Sequence, residues 1–274
     1  MRTPLRIAVL ECDVPLDQTK SKYGGYGGVF EALLWSSAKL LNQPDKINPA
    51  TGLEISKWDV VAGDKYPDLK DIDAVLITGS RHNSFDDIPW INRLVDFTSK
   101  ILAQDRVRII GVCFGHQIIG RALGVKVGPN EGGWEVAVHD MDLTDKGKEL
   151  FGVDKLVISP FKCLAILLVK SFPIDRKQRL QQMHRDIVHY CPPNVTLLGS
   201  SPVCEVQGMY APGRFISVQG HPEFTKDIVA EILDARRDAG VFPSGIYEGG
   251  MTTVGNEHDG VVVGKAFLEF LIKE

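Results

Sequence analysis

The sequence predicts an α/β fold, a mainly parallel sheet with helices on both faces. Three observations carry this. Apolar runs of four or five residues recur along the chain, as strands buried on both faces require. Between them lie stretches with apolar residues at helical spacing, joined by short connections. Glycine turns follow two of the runs, at Gly79 and Gly111, on the side where open parallel sheets place their ligands.

Residues 6–10 (RIAVL) read as the first buried strand. The polar stretch after it ends in YGGYGG (23–28), read as a flexible loop bordering a cleft. No G-K-[ST] follows, and the spacing fits no dinucleotide fingerprint. Residues 29–41 are amphipathic, with Phe30, Leu33, Leu34, Leu40 and Leu41 marking a core face. A second strand is expected around 58–61 and a third at 74–77, ending in Thr78-Gly79-Ser80. Residues 89–102 form a helix with Pro89 in its first turn and Trp90, Ile91, Leu94, Val95, Ile101 and Leu102 facing inward. Residues 125–127, 134–143 and two strands within 195–210 suit a small antiparallel extension. The buried style returns at 215–218, and Thr225 can cap a helix to about residue 239. A glycine-rich segment (244–260) precedes a last helix, 261–272. With no repeat or low-complexity linker, residues 1–274 read as one domain. Residues 156–179 put a dense apolar run beside a basic tail without a period, and pattern alone does not place them.

Composition narrows the function classes. The 274 residues are 44% hydrophobic, enough for a sizeable core. Net charge is −4 with no basic run, which gives nucleic-acid binding no electrostatic support. The five cysteines form no C-x-x-C pair, so reduced thiols are expected, with no disulfide framework or metal site. No apolar run reaches membrane-spanning length, and a cytoplasmic protein is the plain expectation.

The chemistry centres on residues 106–124, RVRIIGVCFGHQIIGRALG. A buried strand turns through G-x-C-x-G into a helix bearing Ile118, Ile119, Ala122 and Leu123, with Gly124 as its stop. This is the cysteine form of a nucleophile elbow. The glycines admit a close strand–helix approach, and the turn holds Cys113 at the helix start, where the dipole favours a thiolate. A cysteine on an apolar run is usually only a small buried hydrophobe; the glycine bracket argues otherwise. Such a nucleophile needs a base, and the base an orienting acceptor. His221 follows the strand 215–218, on the same edge by the right-handed crossover rule, and Glu223 stands two residues on.

GVCFGHQ together with GHPEF resembles the class I glutamine amidotransferases. ITGS (77–80), EGGWEV (131–136) and MHRDIV (183–188) resemble their stand-alone fungal and plant branch, which includes the γ-glutamyl peptidases and is related to the amidotransferase domain of GMP synthetase. The resemblance spans nearly the whole chain. It implies a flavodoxin-like three-layer α/β/α sandwich and a catalytic triad of Cys113, His221 and Glu223. It further implies an oxyanion hole at Gly79, Ser80 and Phe114, and substrate contacts at Gln117, His184 and Asp186. His116 takes a structural role. Residues 156–179 become an atypical insertion, ahead of the strand carrying H-R-D. The activity implied is cysteine-dependent hydrolysis of a γ-glutamyl amide, glutamine or a γ-glutamyl peptide, through a thioester and without a cofactor. Two alternatives stand beside it: an amidotransferase subunit passing ammonia to a separate synthase partner, and a regulatory protein with a vestigial site.

Overall fold

The computed structural model describes residues 4–152 and 177–273. Five parallel strands form the centre: β1 (Leu5–Glu11), β2 (Leu53–Asp59), β3 (Ala74–Ile77), β4 (Arg108–Val112) and, much later in the chain, β11 (Phe215–Val218). The strands β5 (Val127–Pro129), β6 (Glu135–Leu143), β7 (Gln178–His184), β8 (Asp186–Val188), β9 (Thr196–Ser200) and β10 (Gly208–Ala211) come between them in sequence. The large sheet runs β2-β1-β3-β4-β11-β10-β9-β6-β7, its last four strands antiparallel, and β5 pairs with β8 in a small second sheet. The parallel part has the flavodoxin-like strand order, so the carboxyl ends of β1, β3, β4 and β11 share one edge.

The apolar runs explain the layers. Ile7 and Val9 point to one face of β1, where Phe30, Leu33 and Leu34 of α2 (Tyr26–Leu41) and Phe267 of α8 (Gly260–Ile272) cover them. Ala8 and Leu10 point to the other, under α3 (Pro89–Leu102) and α4 (Phe114–Ala122). Both faces of the strand are therefore apolar, and its sequence has no polar alternation. A third cluster joins Val136 and Met183 of the antiparallel extension to Phe224 and to Ile228 and Leu233 of α6 (Lys226–Asp238). The short helices α1 (Asp17–Tyr23), α5 (Asp145–Phe151) and α7 (Ile246–Thr253) complete the chain.

Several sequence expectations differ from the structure, among them Leu40, expected on the core face of its helix but exposed. YGGYGG is a helix junction: Tyr26–Gly28 begin α2, Gly27 N–H donates to Glu11 Oε1 at 2.7 Å, and a Cβ on Gly28 would lie 1.9 Å from the Tyr23 carbonyl oxygen. Its glycines serve close packing. The second strand lies earlier, at Leu53–Asp59, because this edge strand is mostly exposed and has no apolar run to mark it. The glycine-rich segment 244–260 contains α7. Finally, most of 156–179 lies outside the described residues, but Gln178 and Arg179 open β7, where Arg179 N–H donates to Asp259 Oδ2 at 2.9 Å. Among the described residues no helix is long and apolar enough to cross a membrane.

Candidate active site

The turn between β4 and α4 is tight because two backbones touch. A Cβ on Gly115 would lie 2.3 Å from the Ile77 carbonyl oxygen of β3, and one on Gly111 would lie 2.8 Å from the Gly115 carbonyl oxygen. The residue between them, Cys113, adopts φ +52° and ψ −103°, outside the regions a side chain favours. Its N–H donates to Val218 O at 2.9 Å, fastening the elbow to the end of β11.

Beyond β11 the chain turns so that His221 N–H donates to Gln181 O of β7 at 2.7 Å. The imidazole stacks flat on Phe224, ring centres 3.9 Å apart, and its Nδ1 lies 2.8 Å from Glu223 Oε1. Both side chains are buried. Burial pulls the His221 pKa down, but the Glu223 carboxylate and Cys113, which also hydrogen-bonds the ring, outweigh it and raise the value to about 10. The Glu223 side chain thus favours the protonated ring and fixes its orientation. Gly79, after β3, comes so close that a Cβ there would lie 2.6 Å from His221 Cε1.

Cys113, His221 and Glu223 line a cavity of about 510 Å³ with Gly79, Ser80, Gln117, His184 and Asp186. Phe114 starts α4, where the first N–H groups have no intrahelical acceptor. The Gln117 amide is engaged with protein: its Nε2 donates to Asp186 O at 2.9 Å and its Oε1 accepts from Ser84 Oγ at 2.9 Å. It thereby ties the start of β8 to the elbow helix. His184 Nε2 lies 3.0 Å from Glu135 Oε2, both side chains buried. Burial raises the Glu135 pKa, but His184 outweighs that and holds it below the usual carboxylate range. His116 is buried, its Nδ1 2.9 Å from Ser217 Oγ.

Sequence reasoning missed several residues around the cavity. Asp13 pairs with Arg81 at 2.7 Å and accepts the Arg81 N–H at 2.7 Å, holding the turn that follows Ser80. Tyr26, Trp134 and Arg236 also line the wall. Among the described residues no group of three or more His, Cys, Asp or Glu side chains could hold a metal ion. The arrangement can perform nucleophilic acyl chemistry: a thiol, an imidazole beside it, and a carboxylate that orients the imidazole.

This chain is similar to known proteins over most of its length. A glutamine amidotransferase-like protein of Schizosaccharomyces pombe is 31% identical over 271 residues, covering 97% of this chain and 98% of that one. γ-Glutamyl peptidase 3 of Arabidopsis thaliana is 31% identical over 234 residues, 84% of this chain and 81% of that one. The crystal structure of a glutamine amidotransferase from Thermotoga maritima superimposes with a TM-score of 0.67 over all of both chains at 15% identity, a likeness of fold. The family profile "Glutamine amidotransferase class-I" matches residues 49–232, and the chain belongs to that family.

Proposed function

We propose that this protein hydrolyses a γ-glutamyl amide through a γ-glutamyl thioester on Cys113. Cys113 Sγ attacks the γ-carbonyl carbon, and the oxyanion is held by backbone N–H groups of Gly79, Ser80 and Phe114. The tetrahedral intermediate collapses, the C–N bond breaks, and His221 gives its proton to the departing amine. Water then attacks the thioester, His221 takes a proton from it, the C–S bond breaks, and glutamate leaves with Cys113 and the protonated His221 regenerated. Glu223 holds the imidazole oriented throughout. The observation that carries the reading is the buried His221–Glu223 pair, at 2.8 Å, in one cavity with the strained Cys113. The relatives named γ-glutamyl peptidases support hydrolysis as the outcome. Those named glutamine amidotransferases support the second reading, delivery of ammonia to a synthase partner.

Purified protein assayed with glutamine and with γ-glutamyl dipeptides, with and without cell extract, separates these readings. The hydrolase reading expects glutamate release by the purified chain alone. The Cys113→Ala variant should lose about 10³-fold or more of that rate. Turnover only with extract would favour a partner-dependent amidotransferase; turnover by the alanine variant would remove Cys113 as nucleophile.

A further inference from the structure

The cavity at Cys113 exceeds what glutamine needs. Its about ten non-hydrogen atoms, each given the roughly 30 Å³ that a water occupies in the liquid, come well short of the 510 Å³ present. The surplus has a definite chemistry. Ile232, Ala235, Arg236 and Ala239 line it, at the i, i+3, i+4, i+7 spacing of one helix face, so α6 and its C-terminal cap form one wall. That wall is apolar or small except for a single guanidinium.

Three arginines border the cavity. Arg81 is paired with Asp13 at 2.7 Å, and Arg185 lies 3.6 Å from Asp186. Arg236 has no carboxylate within ion-pair distance among the described residues. It is held instead by rings: its guanidinium carbon lies 4.9 Å from the Trp134 centroid and 6.0 Å from that of Phe242, and those two rings meet edge to face at 5.3 Å. Ring contacts of this kind take none of the guanidinium N–H groups, and a guanidinium fork fits a carboxylate. Burial pulls the Arg236 pKa down, as expected of a half-buried cation that gains from an added counter-charge.

We propose that Arg236 binds a carboxylate on the leaving group, so that the substrate is a γ-glutamyl amino acid or peptide with a free C-terminus rather than glutamine. This rests on the γ-glutamyl reading above. In that reading the leaving group takes the part of the cavity that α6 lines. The γ-glutamyl α-ammonium then falls to Asp186, which lines the same cavity and whose Oδ1 has Arg185 Nε no nearer than 3.6 Å.

The test is calorimetric binding of γ-glutamyl-leucine, of its C-terminal amide and of glutamine to the Cys113→Ala protein, with and without Arg236→Gln. The free acid should bind at least about tenfold more tightly than the amide, the range expected for a charge-assisted hydrogen bond. Arg236→Gln should abolish that preference and leave the amide and glutamine unchanged, whereas Arg236→Lys should keep part of it. Equal binding of acid and amide would overturn the proposal. So would a variant that weakens all three ligands alike, which would place Arg236 on the α-carboxylate or in the fold. Glutamate release by the Cys113-intact protein reports separately on hydrolysis, so an acid preference without turnover defeats that reading and not the carboxylate site.

Discussion

Cys113 is held at φ +52°, a conformation that costs a non-glycine residue about 1–3 kcal/mol, and His221 is held protonated by Glu223 and Cys113. The two features belong together: the strain aims the sulfur, and the pair supplies a proton for the departing amine. Under the proposed roles, His221→Ala should cost roughly 10⁴-fold or more in kcat, and Glu223→Ala roughly ten- to a hundredfold less than that, since orientation is the smaller contribution. A larger effect at Glu223 would mean that the two roles are wrongly assigned. The sign of the pH effect follows from the carboxylate. His221 loses its proton as pH rises through its raised pKa, so kcat/KM should fall on the alkaline side. Glu223→Gln removes a charge that raises that value, so the alkaline limb should move to lower pH. These three candidate residues were read from the local patterns G-x-C-x-G and H-P-E, and the fold brings them into one cavity. Arg236 was not, since DARRD reads as a solvated helix face until the docking of α6 turns one residue inward. Glu135 was not either; only the β6–β7 register sets it opposite His184.

Among the elements, the legible ones are those whose burial shows in a short window. β1, β3, β4 and β11 are continuous apolar runs because helices cover both of their faces. α3 matches its expected limits, with Pro89 at its first turn and Trp90, Ile91, Leu94, Ile101 and Leu102 buried. β2 and α7 were obscured by exposure and by glycine. The turn after β3 contributes most to the site relative to its length. Gly79 is required there by the His221 ring, because a Cβ would lie 2.6 Å from Cε1. Gly79→Ala should therefore displace the imidazole, at a stability cost of about 1–3 kcal/mol. Its kcat should fall at least tenfold, roughly the loss that a 1 Å misplacement brings. Melting temperature and kcat measured on the same preparation check this; unchanged kcat would show that the His221 position is not what Gly79 protects.

At the scale of the whole molecule, the sheet order gathers the ends of β3, β4 and β11 on one edge and brings β7 alongside to carry His184. Burying that much polar chemistry makes the fold acid-sensitive. Burial, then the nearby His184, pushes the His116 pKa down to about 3. His116 thus binds fewer protons in the folded than in the unfolded chain below about pH 6.5, and its contribution to stability is lost as pH falls through that window, by up to about 1.4 kcal/mol per unit. Glu135, held below its ordinary value, adds to the loss at lower pH in the same direction. Melting temperatures between pH 7 and 4 should decline, and His116→Gln should give a shallower slope; an identical slope would remove His116 as a source of the acid sensitivity.

The proposed hydrolysis depends on a thioester at Cys113, and a covalent label tests that step most directly. Protein treated with a diazoketone analogue of glutamine should carry one label, on Cys113, with activity lost in step and with γ-glutamyl substrate protecting. Labelling of Cys12, Cys163, Cys191 or Cys204 instead, or full activity after Cys113 has been labelled, would contradict it.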